Sequence, residues 1–254
     1  MSRQRHIFIA VAWAVALSWL PAGVVRAELP DVQALPENSP QVTEQWLDEL
    51  QQNLKDTQTI RTRFVQETHL DVFDQVVESH GVMMFAAPDR MRFEIVEPFR
   101  SVTVASGDAV VRYEKLDDGW RRLNLPSTEI VLAVLRQAGR WMRGDLKASQ
   151  KTYAITSHQA SKDETSGASG GGWLVLVPRD AALAKMLASI EIELDAKHAA
   201  FKRMIIRRSA DDATMLRFVD EQRNKPLPAG WFDVTGDVPA KVSPASDASE
   251  EPGE

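Results

Sequence analysis

From Ile60 onward stretches appear in which apolar residues recur with a period of two, and this period limits the possible folds more than any other feature of the chain. A β-strand turns successive side chains to opposite sides, so alternation predicts strands with one buried and one wet face. The clearest run is Arg90 to Ile95, where Met91, Phe93 and Ile95 point one way and Arg90, Arg92 and Glu94 the other. The same pattern predicts strands over 63–69, 80–85, 102–105, 109–114 and 120–123, and again over 152–157, 173–178, 190–194, 201–207 and 215–219. Ala87-Pro88-Asp89, Ser106-Gly107-Asp108 and Asp117-Asp118-Gly119 are turn signals, and connections this short join antiparallel neighbours.

Two segments follow a helical period instead. Ser39-Pro40 reads as an N-cap with proline at the first helical position. After it Val42, Trp46, Leu47, Leu50 and Leu54 share one face, and Glu44, Asp48, Glu49 and Gln52 the other. Pro126-Ser127 opens a second helix over 129–141, with Ile130, Val131, Val134, Leu135 and Ala138 as its apolar flank before Gly144 stops it. Two amphipathic helices among many short strands predict a mainly β, α+β chain in which the helices cover a sheet.

The N-terminus predicts export. Arg3 and Arg5 precede an apolar stretch from His6 to Leu20, and Val25-Arg26-Ala27 supplies small residues for cleavage before Glu28, so residues 1–27 read as a signal peptide. The stretch is shorter than the roughly 20 residues of a membrane span. Residues 28–38, with Pro30 and Pro36, read as an extended leader, 39–236 as the folded domain, and 237–254 as a disordered acidic Pro/Ser tail. The chain has no cysteine, which excludes both a lipid-modified N-terminal cysteine and disulfides in an oxidising compartment. Its net charge of −6 becomes more negative when Arg3, Arg5 and Arg26 leave, which argues against nucleic acid and anionic lipid surfaces as partners.

No catalytic residue, metal or cofactor is predicted. Gly167-Ala168-Ser169-Gly170-Gly171 matches the Gly-x-Ser-x-Gly of serine hydrolases, but it sits in a Gly/Ser-rich loop from Ser161 to Gly172 and runs into a strand rather than a helix. His69, His80, His158 and His198 are single and widely separated, so they read as strand or turn residues rather than metal ligands. Glu191 and Glu193 fall on the wet side of an alternating strand.

Several stretches carry a family resemblance. Phe64-Val65-Gln66, Gly81 to Pro88, Arg90-Met91-Arg92-Phe93-Glu94, Glu97-Pro98 and the Ser106-Gly107-Asp108 turn resemble motifs of the LolA family of outer-membrane lipoprotein carriers, over roughly residues 42–235. The resemblance implies a strongly curved, incomplete antiparallel β-barrel closed by a helical lid around a hydrophobic cavity. Its implied wall is Leu54, Ile60, Phe64, Met91, Phe93, Ile95, Ile130, Val131 and Leu135. It also implies a monomeric soluble periplasmic carrier of acylated lipoprotein or lipid, loaded by an inner-membrane exporter and unloaded by an outer-membrane acceptor. The chain departs from the family at Ala87, where the archetypal carrier has an arginine that pins the lid. Two other readings are a periplasmic lipid or lipoprotein sensor and an envelope hydrolase. LolA-like regulators carry a further C-terminal domain, whereas this chain ends in its tail.

Overall fold

The computed structural model describes residues 29–69, 76–123, 128–159, 171–209, 212–228, 230–239 and 243; the expected signal peptide and the loop from Ser161 to Gly170 lie outside the described residues. The chain lays down β1 (Thr59–His69), β2 (Val77–Ala86), β3 (Arg90–Glu97), β4 (Ser101–Ser106), β5 (Ala109–Leu116) and β6 (Gly119–Leu123) as a meander. It then crosses to the far edge and returns through β7 (Tyr153–His158), β8 (Gly172–Pro178), β9 (Ser189–Leu194), β10 (Phe201–Arg207) and β11 (Ala213–Arg223), which settles beside β1. One mixed α/β architecture results, with an eleven-stranded antiparallel sheet ordered β6-β5-β4-β3-β2-β1-β11-β10-β9-β8-β7.

The helices form where their signals stand. Helix α1 (Pro40–Leu54) is capped by Ser39 Oγ, which accepts from the Val42 amide at 3.4 Å, and it buries Leu47, Leu50 and Leu54. Helix α2 (Thr128–Trp141) follows β6 and buries Leu132 and Leu135. Behind it, Gly144 adopts φ +78°, and a Cβ there would lie 2.6 Å from the Leu50 carbonyl oxygen, so the exit of α2 presses directly on α1. A short helix α3 (Ala181–Ala184) joins β8 to β9.

The expected curved barrel with its closing lid is corrected by the topology. Strands β6 and β7 are the two edges of an open sheet and do not pair with each other, and the sheet is not strongly curled. The physical reason lies in how its faces are covered. On the inner face, both helices pack on the largest apolar cluster. On the outer face, Val32 of the N-terminal leader packs with Trp173, Val175, Ile205, Ala213 and Met215, while Phe232 and Val234 pack on Val102, Val104, Val111 and Tyr113. A sheet covered on both faces has no need to curl around its own apolar surface.

That outer cover also overturns the expectation of a wet face. Arg92 is 1% exposed and Glu94 0%, joined by bonds of 3.2 and 2.8 Å from Nε and Nη2 of the arginine to Glu94 Oε2. Glu191 is likewise fully buried, accepting from Arg207 Nε at 2.7 Å and from Ser189 Oγ at 3.0 Å, and Glu193 pairs with Arg203. Beyond Asp237, Ser243 is buried against Glu94, and its neighbours in the expected tail are outside the described residues from 240 on.

Gly81 marks a tight point in the interior of the sheet. It pairs with Phe64 and Ile95, and a Cβ would fall 2.2 Å from the Glu94 carbonyl oxygen and 2.3 Å from Phe64 Cζ. Gly81→Ala is therefore expected to destabilise the fold by about 1–3 kcal/mol through overpacking. Urea unfolding with an unchanged m-value and a lowered midpoint checks this.

Candidate functional site

The antiparallel register assembles the inner face in rows. Ile60, Phe85, Met91 and Ala105 face one another across β1 to β4, and Met83 and Phe93 across β2 and β3. Phe64 reaches over Gly81, and its ring stacks on Phe93 with centroids 4.2 Å apart. From the other half of the sheet Phe218, Met204, Ile192 and Leu174 continue the apolar field, and Leu47, Leu50, Leu54, Leu135, Trp141 and Met142 close it from above. Toward β5 the field grades into polarity: Thr103 and Arg112 extend the row of Phe93, and Arg112 Nε donates to Glu114 at 3.1 Å. Methionine and phenylalanine together make an adaptable, polarizable lining, because thioethers change rotamer easily and rings supply area.

Of the nine residues implied by the resemblance, Leu54, Ile60, Phe64, Met91 and Leu135 are buried in this one cluster, and Phe93 and Ile95 are half-buried against it. Ile130 and Val131 belong to α2, but their side chains are outside the described residues. Met83, Phe85, Phe218 and Met204 were missed. In β2 every residue from Val82 to Ala86 is apolar, so a period of two carries no information there about which side faces in. Pairing with Phe93 and Met91, once β3 is oriented, would have identified Met83 and Phe85.

The position of the family arginine is filled differently. Ala87 packs against the inner cluster while its amide donates to the Gln58 carbonyl at 2.8 Å. Arg90 and Arg92 lie over Phe232 and Trp231 on the outer face, so neither reaches the helices. Helix α2 is instead anchored by its own Arg136, which donates to the Gly107 carbonyl at 3.2 Å and pairs with Asp108 in the β4–β5 turn. At its other end Trp141 Nε1 and Gln137 Nε2 both donate to Ser149 Oγ, at 2.9 and 2.8 Å.

Helix α1 is clamped to the opposite half of the sheet. In the β9–β10 turn, His198 Nδ1 lies 2.7 Å from Glu49 Oε2 and Nε2 lies 3.2 Å from the Gly171 carbonyl, with the ring 4.5 Å from that of Trp46. Asn53 adds bonds to the carbonyls of Lys197 and His198 at 2.8 and 3.1 Å. The Gln45 side-chain hydrogen bond, followed by that of His198, holds the Glu49 carboxyl below its ordinary value.

The other histidines are strand residues as expected, on β1, β2 and β7. Among the described residues no three His, Cys, Asp or Glu side chains gather as a metal site, and no helix is long and apolar enough to cross a membrane. Ser169 lies outside the described residues.

Residues 55–235 match the family described as outer membrane lipoprotein carrier protein LolA. An outer-membrane lipoprotein carrier protein of Dechloromonas aromatica (strain RCB) is 23% identical over 198 residues, which cover 77% of this chain and 86% of that protein. Similar solved structures include the MucA/MucB complex of Pseudomonas aeruginosa (13% identity, TM-score 0.45, 78% of this chain), of which this chain spans 62% of the matched chain's length. They also include the lipoprotein LppX of Mycobacterium tuberculosis (10% identity, TM-score 0.45, covering 75% of this chain and 99% of that one).

The α1 clamp has a pH consequence. Because the folded-state pKa of Glu49 is lowered, its contribution to stability is complete above the ordinary carboxylate value and is lost as pH falls through the lowered one. Between about pH 5 and pH 3 the Tm of the native chain should fall further than that of Glu49→Gln, which lacks the titration. Parallel melting curves for the two proteins test this, and identical slopes would remove Glu49 from the acid response.

Proposed function

We propose that this chain, which belongs to the LolA family of outer membrane lipoprotein carrier proteins, holds the acyl chains of a lipoprotein or lipid against the inner face of its sheet, beneath its helices. As a member of that family it is a soluble periplasmic carrier and not an enzyme. The observation that most supports an acyl ligand is the continuous apolar field around the Phe64–Phe93 stack, which both helices share with the sheet. The contact residues in this reading are Leu54, Ile60, Phe64, Met91, Phe93, Ile95, Ile130, Val131 and Leu135, within a carrier domain of residues 39–236 that follows an export signal over 1–27.

Energetics set the mechanism. At about 0.8 kcal/mol per buried methylene, a chain of about sixteen carbons gains on the order of 12 kcal/mol before ordering costs. Release then needs either an element that moves or an acceptor that binds better. Helix α2 is that element in this proposal, because exposed Arg136 ties it to the β4–β5 turn where the family relies on an arginine at the position of Ala87. An inner-membrane exporter would load the carrier and an outer-membrane acceptor would empty it.

Mass spectrometry of lipid extracted from the protein purified out of the periplasm tests the reading directly. Acylated lipoprotein or free lipid at near one per chain is the expected result, and Phe93→Glu should lose it while keeping a native circular dichroism spectrum. Lipid retained by folded Phe93→Glu would remove the inner face as the site. Arg136→Gln should hasten transfer of a fluorescent fatty acid to acceptor vesicles several-fold with little change in Tm, since exposed ion pairs contribute little to stability. An unchanged rate would show that the gate lies elsewhere.

A further inference from the structure

On the face of the sheet opposite the proposed acyl site, residues 230–239 and Ser243 lie across β3 to β6, and their polar contacts run largely through their main chain. Arg92 Nη1 donates to the Trp231 carbonyl at 3.2 Å, Arg122 Nη1 to those of Thr235 and Gly236 at 3.3 and 2.9 Å, and Arg100 Nη2 to that of Ser243 at 2.5 Å. Tyr113 Oη donates to the Gly236 carbonyl at 2.7 Å, and buried Glu94 accepts from the Ser243 amide at 2.7 Å. The sheet thus presents a comb of donors for main-chain carbonyls and one acceptor for a main-chain amide. Phe232 and Val234 fill the apolar ground between Val102, Val104, Val111 and Tyr113.

The segment does not satisfy the surface completely. On the surface itself Arg100 Nε is buried without a hydrogen-bond partner. A buried donor left unmade is costly, so a different occupant that supplies an acceptor at this point would fit better. Arg90, Arg92, Arg100 and Arg122 outnumber the single acid, Glu94, that faces them from β3, and the occupying segment itself carries Asp233 and Asp237.

We propose that the outer face of β3 to β6 is a docking surface for a short acidic segment of a partner protein, read through its main chain, and that residues 230–239 and Ser243 occupy it in cis as a displaceable strap. Recognition of carbonyls and amides tolerates many sequences, while the apolar ground on β4 and β5 and the arginine excess select an acidic segment that carries aromatic and aliphatic side chains. A partner competes with the strap, so the apparent affinity falls by the fraction of time the strap is closed.

The test uses the full chain and a labelled synthetic peptide of residues 230–243. In Phe232→Ser/Val234→Ser, whose strap is weakened, fluorescence anisotropy should show the peptide binding at least tenfold more tightly than to the native protein. Adding Arg122→Gln and Tyr113→Phe should reverse that gain. No binding to the folded strap variant, or equal binding to all three proteins, would overturn the proposal. If the strap variant does not fold, hydrogen exchange on the native chain decides: strap amides at 230–239 should exchange at least tenfold faster than those of β3 to β5, and equal rates would mean a strap that opens only with the whole fold.

Discussion

An open sheet of eleven strands leaves two faces and two edges to be covered, and the rest of the molecule is organised around that requirement. The inner face takes both helices. Neither α1 nor α2 lies on the outer face; among the described residues its cover is made from the segments that flank the sheet in sequence, with the leader over β8 to β11 and residues 230–239 and Ser243 over β3 to β6. The β7 edge is also engaged, since the Asn38 amide donates to the Ser157 carbonyl at 2.8 Å and the Gln159 amide to that of Pro36 at 3.0 Å. An exposed edge is a template for wrong pairing, and a leader laid along it blocks the next strand.

Covering the outer face with irregular backbone creates a second demand, because such segments bring carbonyls and amides that need partners. Charged side chains of the sheet meet it. Arg207 links Glu191 to the Pro30 carbonyl at 2.6 Å, and Arg92 links Glu94 to the Trp231 carbonyl. Each arginine is thus neutralised within the sheet and spends its remaining donors on the covering segment. Desolvating such a pair is unfavourable on its own, so its presence is better explained by the backbone groups it satisfies and the register it fixes than by net stability.

This arrangement explains what was legible in the sequence. All eleven strands and both long helices stand where periodicity put them, because alternation and helical spacing follow from the backbone alone. The wet face was not legible: Arg92, Glu94 and Glu191 are polar, and polarity at alternate positions looks the same whether the partner is water or an arginine under a covering segment. The strongly curved, incomplete barrel came from resemblance, and the curl of a sheet depends on what covers its faces, something no local pattern in β6 or β7 encodes. At the proposed site, alternation identified Met91 and Phe93 in a strand with charged neighbours and was silent for Met83 and Phe85 in an all-apolar one.

The division between the two faces bears on how a carrier can change shape without unfolding. Register among β1 to β6 is secured from the outside by the buried Arg92–Glu94 pair and the segment it holds, and among β8 to β11 by Arg207–Glu191 and the leader. None of these contacts involves α1 or α2. Apart from the buried His198 ring against Glu49, the helices are attached by a different and more accessible set, Arg136 with Asp108 and Lys147 with Asp48 at 2.6 Å. Exposed ion pairs of this kind are individually weak, whereas a buried pair is strongly destabilising to break. Displacing the helical layer would therefore break apolar contacts and accessible pairs while leaving the buried pairs of the outer face intact.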